Sequence, residues 1–316
     1  MFGKGPEQSL WLECRALPKK MELQPSPPTE CPELAQLAGA DSPDSCLKSV
    51  IAFDVEFTGL EGAPHLLEIG AVRVEEGEVQ EHFQCLVAPP VPITPEVTAL
   101  TGIDEGMIRS APFAREALGN FFEWMGDSVL LAHNARQDAH VLAFECARAQ
   151  LAAPDNAIFD SLALTRKAWP EAPDHGLATL IEHLCIKADP LHRALADATA
   201  CWQVCAASLE QLGAGDEFSF ADLCAWSSKP TSVNYCLPVR PIRRPAMLRK
   251  LESARSTEQA LSLLYGDKIN PPARITLTPR FLYRANKHDY LEGECPRSGT
   301  LRTYRVDRII KVETNK

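Results

Sequence analysis

The run "SVIAFDVEFTG", residues 49–59, constrains the fold more than any other stretch of the chain. Its β-branched, aromatic and aliphatic residues read as a strand, and an apolar run of this kind is a buried one. Yet Asp54 and Glu56 stand inside it, two positions apart. Strand side chains alternate between faces, so both carboxylates project to the same side. Two carboxylates there repel each other and lose hydration, which is costly unless a cation neutralises them.

The segments that follow place this strand in a sheet. "HLLEIGAVRVEEGEV" reads as a second strand running into a turn and "EHFQCLVAP" as a third, so three successive strands suggest an antiparallel meander. "FAREALGNFFEWMG" has helical spacing. "SVLLAHN" is a short apolar strand, followed by the helix "ARQDAHVLAFECARA", with Asn134 as its N-cap. "NAIFDSLAL" is a strand leading into a helix, and "HGLATLIEHLCI" and "RALADATACWQVCAASLEQLG" are further helices. This order implies an α/β mixed sheet covered by helices. Beyond Trp226, "SSKPTSVNYCLPVRPIRRP" reads as linker or irregular chain. "STEQALSLLYG" reads as one short helix, and "ARITLTPRFLYR", "DYLEGECP" and "LRTYRVDRIIKVE" as three β-like runs of a small second domain. Residues 1–47, rich in Pro, Ser and Glu, read as a flexible leader.

With 316 residues the chain suits about two domains, divided as leader 1–47, domain 48–227, linker 228–254 and β-rich domain 255–316. No apolar run is long enough to span a membrane, and the N-terminus lacks the pattern of a signal peptide, so a cytoplasmic protein is expected. The eleven cysteines are scattered and form no C-x-x-C pair, so neither a zinc ribbon nor a disulfide framework is expected. The net charge of -10 is unevenly spread. Residues 1–227 hold 14 Lys+Arg against 34 Asp+Glu, a balance of -20, and residues 228–316 hold 18 against 8, a balance of +10. A basic tail on an acidic body suits a polyanionic partner, or a tail that docks onto the acidic body itself.

Two more carboxylates stand at telling places. Asp138 lies in the first turn of the helix after "LLAHN", and Asp197 lies in the helix after "PLHRAL". Hard divalent cations with oxygen ligands offset such a gathering, and Mg²⁺ takes a few carboxylates together with water and substrate phosphate. Pro190 sets the start of the last helix near Arg193, which leaves His192 on the entering loop, where a mobile imidazole suits a general base. His133 and His175 read as structural, and Asp160 as a helix cap.

These residues resemble the DEDDh exonucleases, the family of the proofreading subunit of bacterial DNA polymerase III, ribonuclease T and oligoribonuclease. "FDVEFTGL" resembles the first motif, D-x-E-x-T-G; "AHNARQDAHVL" the second; "HRALADA" the third, H-x4-D. "HLLEIGAV" and "ITPEVTALTGI" resemble segments between them. The resemblance covers about residues 48–212 and implies a ribonuclease H-like mixed sheet with helices on both faces. It implies two divalent ions, Mg²⁺ or Mn²⁺, with Asp54 bridging both, Glu56 and Asp197 completing the tighter site and Asp138 supporting the second. It makes His192 the general base and places a terminal nucleotide beside Phe57, Thr58, Gly59 and Leu60, with Asn134 nearby.

"DYLEGECPRSGTLRTYRVDRIIKVE" resembles the WYL domain, with Asp289 where that family has its tryptophan. It implies a small SH3-like or Sm-like β-barrel over roughly residues 255–313. Arg302, Arg305 and Arg308 are the expected phosphate contacts, and Tyr283 or Tyr290 a base-stacking ring. Together the resemblances imply a 3′–5′ exonuclease that releases 5′-nucleoside monophosphates from single-stranded or 3′-end DNA or RNA. The alternative is a non-catalytic nucleic-acid or ligand sensor built on the tail domain. A second copy of the chain, or a replication or repair protein, is left open as a partner.

Overall fold

A computed structural model of the chain describes residues 49–59, 63–214, 218–266, 271–285 and 287–314. The expected leader and Leu60 lie outside the described residues. Strands β1 (Ser49–Thr58), β2 (His65–Glu75) and β3 (Glu78–Leu86) form the expected antiparallel meander. Helices α1 (Pro95–Thr101) and α2 (Ala114–Met125) lead to β4 (Val129–Ala132), which pairs in parallel with β1. Helix α3 (Ala135–Ala149) crosses over to β5 (Ile158–Asp160), parallel to β4. The sheet order is therefore β3-β2-β1-β4-β5, with β1 central.

That central place explains the composition of β1, which is buried on both faces. One face packs Ile51, Phe53 and Val55 against α2 and α3. The other packs Val50 and Ala52 against α4 (Ser161–Ala168), α5 (Leu177–His183), α6 (Ala194–Gln211) and α7 (Phe220–Trp226). The expected mixed sheet with helices on both faces is present.

The second unit departs from expectation in three ways. Helix α8 spans Pro245–Ser256, and "ALSLLYG" is instead strand β6 (Leu261–Tyr265). Proline at the first helical position is favourable because its missing N–H has no partner there, and it starts the helix inside the expected linker. Leu261, Ser262 and Leu263 are all buried, as befits a strand held between β10 and β7. Strands β7 (Ala273–Ala285), β8 (His288–Glu294), β9 (Leu301–Arg305) and β10 (Ile309–Thr314) complete an antiparallel sheet of order β10-β6-β7-β8-β9. It is an open sheet and not the expected closed barrel, because no ladder joins the edge strands β9 and β10 among the described residues. Asp289 takes a structural role: buried, it accepts from the Arg243 N–H at 3.0 Å and from Arg284 Nη1 at 3.1 Å.

The two units share a buried junction. Ala63 and Phe144 pack with Phe281, Tyr283 and Tyr290. Beside them, Arg148 of α3 donates to Glu292 of β8, with Nη2 at 2.7 Å from Oε1, and its Nη1 lies 3.0 Å from Glu145. The guanidinium also lies 5.5 Å from the Phe144 and Phe281 ring centres. His65 is enclosed here, and burial, aided by Arg148, pushes its pKa down to about 2. It is therefore neutral, and its approaches of 3.7 Å to Glu145 and 3.9 Å to Glu292 are not ion pairs.

Arg148 is thus the cation between two enclosed carboxylates. Removing one partner of a buried pair costs about 3–5 kcal/mol. Arg148→Met should destabilise the protein by that order in denaturant unfolding, and Arg148→Met/Glu292→Leu should recover part of the loss. Equal loss in both variants would contradict this account of the junction.

Candidate active site

Asp54 and Glu56 leave β1 on its α6 side. Asp197 comes from the first turns of α6, and one carboxylate oxygen of each of these three lies within 4.8 Å of the others. The strand's alternation supplies two of them, and a close helix–strand approach supplies the third. Gly70 on β2 permits that approach. A Cβ there would stand 2.0 Å from the Leu195 nitrogen and 2.1 Å from the Ala194 carbonyl carbon, so no side chain fits beneath the start of α6.

A residue not singled out from the sequence fixes the helix start. Glu68 is fully buried on β2, directly across from Glu56 in the ladder. Its carboxylate accepts from Arg193 Nη2 at 2.6 Å and Nε at 2.9 Å, from the Ala194 N–H at 3.1 Å, and from Gln84 Nε2 at 2.9 Å. Glu68 therefore ties the first turn of α6 to the sheet and so places Asp197. The available signal was a carboxylate inside the apolar run "HLLEIGAV".

His192 lies just before that turn, exposed, in a left-handed conformation with φ 69°. Its backbone N–H donates to both oxygens of Asp197 at 3.2 Å. The helix begins at Ala194, so His192 stands on the entering loop as expected. Asp138 is buried in the first turn of α3, and its Oδ1 accepts from the Val55 N–H at 3.2 Å. It lies outside the close trio, yet its charge reaches Asp54.

The electrostatics follow from this geometry. Burial, then the charges of Asp138, Asp197 and Glu56, hold the Asp54 pKa well above the usual carboxylate range. Burial, with Asp197 and Glu68, pushes Glu56 up to about 7 against the opposing influence of Arg193. Burial pushes Asp138 up to about 8 and raises Asp197 as well. Such a set takes up positive charge, and hard divalent cations with oxygen ligands fit its donors.

Other expected residues are sorted by the structure. His133 is structural, bonded to the Ser161 hydroxyl at 2.9 Å and the His175 carbonyl at 2.8 Å. Asp160 caps α4 through the Leu162 N–H and also accepts from the Asn134 N–H. Asn134 occupies the N-cap of α3 but caps nothing with its side chain, which donates to Gln137 instead. Phe57 packs half-buried against the α2–α3 core, on the face away from the carboxylates, so its ring is not free for a nucleotide. Thr58 is buried and Gly59 exposed, with φ 127°. Tyr283 and Tyr290 are buried and stacked on each other with centres 5.2 Å apart, so neither is available to a base. Arg305 is engaged by Asp307 at 2.7 Å, whereas Arg302 is exposed on β9.

Residues 51–205 match the family model described as an exonuclease, and residues 246–314 match the WYL domain model. A PolC-type DNA polymerase III from Caldanaerobacter subterraneus subsp. tengcongensis is 35% identical over 163 residues, covering 51% of this chain and 12% of that protein. A putative bifunctional exonuclease/endonuclease from Mycobacterium tuberculosis is 35% identical over 195 residues, covering 58% of this chain and 30% of that protein. The chain thus spans less than a third of the length of these relatives. Among solved structures, the nuclease domain of 3′hExo, a DEDDh family member bound to rAMP, aligns with a TM-score of 0.48 at 20% identity, over 54% of this chain and 95% of that one. A product-bound exonuclease I aligns with a TM-score of 0.45 at 12% identity, over 85% of this chain and 65% of that one. Among the described residues, no helix is long and apolar enough to cross a membrane.

Two outcomes test the geometry. Gly70→Ala should displace the first turn of α6 and destabilise the protein by about 3 kcal/mol, measured by denaturant unfolding; an unchanged midpoint would contradict the close approach. The second concerns Glu56, whose pKa is 4.5 as a free side chain and about 7 when folded. The folded state holds this proton more tightly, so the metal-free protein loses stability as pH rises between those values. In EDTA, Glu56→Gln should therefore gain in Tm over wild type progressively from about pH 5 to pH 8. A pH-independent difference would contradict the raised pKa.

Proposed function

We propose that this chain, which carries an exonuclease domain over residues 51–205 and a WYL domain over residues 246–314, is a divalent-metal-dependent 3′–5′ exonuclease. The observation that carries the reading is the convergence of Asp54, Glu56 and Asp197 on one point, with Asp138 close behind the strand. Two divalent ions, Mg²⁺ or Mn²⁺, fit this donor set; when bound they supply charge stabilisation for the attacking and leaving oxygens of an in-line displacement. Asp54, Glu56 and Asp197 would hold them, with Asp138 in support.

The chain's own contributions follow. His192 stands exposed beside Asp197, and its imidazole accepts the proton of the attacking water. The water oxygen forms a bond to the phosphorus of the last phosphodiester. The bond from that phosphorus to the 3′-oxygen breaks, and this oxygen takes a proton from solvent to become the hydroxyl of the new 3′ end. The product is a 5′-nucleoside monophosphate. Asp197 accepts the His192 backbone N–H and so holds the base in register with the carboxylates. The polarity is carried over from the DEDDh exonucleases, which the motifs around Asp54, Asp138 and Asp197 resemble. The basic tail domain is read as a holder of the strand, through Arg302 in particular. Both DNA and RNA remain within the substrate class.

Purified protein with Mg²⁺ or Mn²⁺ and end-labelled single- and double-stranded DNA and RNA tests this directly. Stepwise shortening of a 5′-labelled strand with release of mononucleotides is expected. Asp54→Ala should abolish it while the fold is retained. His192→Ala should lower kcat by about 10²–10⁴. Wild-type rates in Asp54→Ala, or shortening from the 5′ end, would overturn the proposal.

A further inference from the structure

We propose that the cavity between the two domains holds a nucleotide unit of the bound strand, with Arg302 of β9 as its phosphate contact. This rests on the nuclease reading and adds a composite site that neither domain forms alone. The cavity has a volume of about 440 Å³. Thr58, Gly59 and His65 of the first domain line one side, Pro92 another, and Leu301 and Arg302 of the second domain close it.

Four observations point to this ligand. First, Thr58 follows Glu56 by two strand residues, so the cavity begins about 7 Å from the carboxylates at a rise of about 3.3 Å per residue. A strand whose end lies at the carboxylates can therefore reach it with an adjoining nucleotide. Second, the Thr58 hydroxyl is buried without a hydrogen-bond partner among the described residues. Thr58 is 1% exposed, and an unsatisfied polar atom that deep is costly unless a ligand satisfies it. Third, His65 is neutral, so Arg302 is the cavity's charge; it pairs with no carboxylate among the described residues, and the groups its charge reaches are the Cys295 thiol and the Tyr304 hydroxyl. One guanidinium beside a neutral hydroxyl and apolar surface suits an anion of phosphate type. Fourth, Pro92 and Leu301 give apolar surface for a ribose or base, the usual composition of a small-ligand pocket.

The buried junction makes the site possible. Arg148 ties β8 to α3, and β9 is the neighbour of β8, so Arg302 is carried on a docked strand and not on a swinging domain. The structure thereby separates the three expected arginines of the tail: Arg305 is engaged by Asp307, the Arg308 charge also reaches Asp307, and Arg302 is the one that faces the first domain across a cavity.

The test is fluorescence anisotropy with a fluorescein-labelled ten-nucleotide single strand in EDTA, where cleavage cannot disturb the reading. Full-length Arg302→Ala should bind roughly fivefold or more weakly than wild type, and its salt dependence should fall by about 0.7 in slope, one phosphate contact on a single strand. Arg274→Ala removes an equal charge from the same domain at an exposed pair with Glu313, away from the cavity, and should stay within about twofold of wild type. Equal weakening in both variants would reduce the effect to long-range charge and overturn the proposal, as would wild-type binding by Arg302→Ala or no binding by wild type. Mg²⁺-dependent hydrolysis together with an inert Arg302→Ala would sink the composite site alone. Arg302-dependent binding without any hydrolysis would sink the nuclease reading and leave the cavity standing.

Discussion

The contact between the Glu68 carboxylate and the first turn of α6 holds the candidate site together. Glu68 offers no atom to the point where Asp54, Glu56 and Asp197 meet. It instead anchors Arg193 and the Ala194 N–H on a central strand, over the bare backbone of Gly70. Without that anchor the helix carrying Asp197 has no fixed height above β1, and the His192 loop that precedes it has no fixed start. A buried carboxylate of this kind is costly unless well bonded, and four hydrogen bonds to it meet that condition.

The same logic recurs at the domain junction. There Arg148 lies between Glu145 and Glu292, and aromatic rings cover the guanidinium. The site and the junction both use one guanidinium to settle buried carboxylates. At the junction one guanidinium serves two carboxylates, and burial raises the pKa of Glu145. At the site the remaining carboxylates are left with raised pKa values, in a state that a cation relieves. The strand β1 links the two regions: it carries Asp54 and Glu56 and ends at Thr58, which lines the cavity between the domains.

Much of the first domain was legible because its signals are local. The period of two put Asp54 and Glu56 together, and Pro190 marked the start of the helix that carries Asp197. Glu68 was passed over because a lone carboxylate between Leu67 and Ile69 looks like any strand residue until its partner, 125 residues away, is in place. The junction was illegible for the same reason, since Arg148 and Glu292 lie 144 residues apart. In the tail, "ALSLLYG" carries good helix formers, and only burial against α8 and β7 makes it a strand. Tyr290 was taken for a surface ring because composition does not say which face of β8 is covered.

The central claim is that the three carboxylates form a cation site whose geometry Glu68 enforces from outside. Titration calorimetry with Mn²⁺ tests it most directly, comparing wild type, Asp54→Asn and Glu68→Gln. The account predicts that Asp54→Asn loses measurable binding and that Glu68→Gln, which removes no ligand, weakens it about 10–100-fold, as outer-shell changes at metal sites do. Unchanged affinity in Glu68→Gln, or retained affinity in Asp54→Asn, would contradict it.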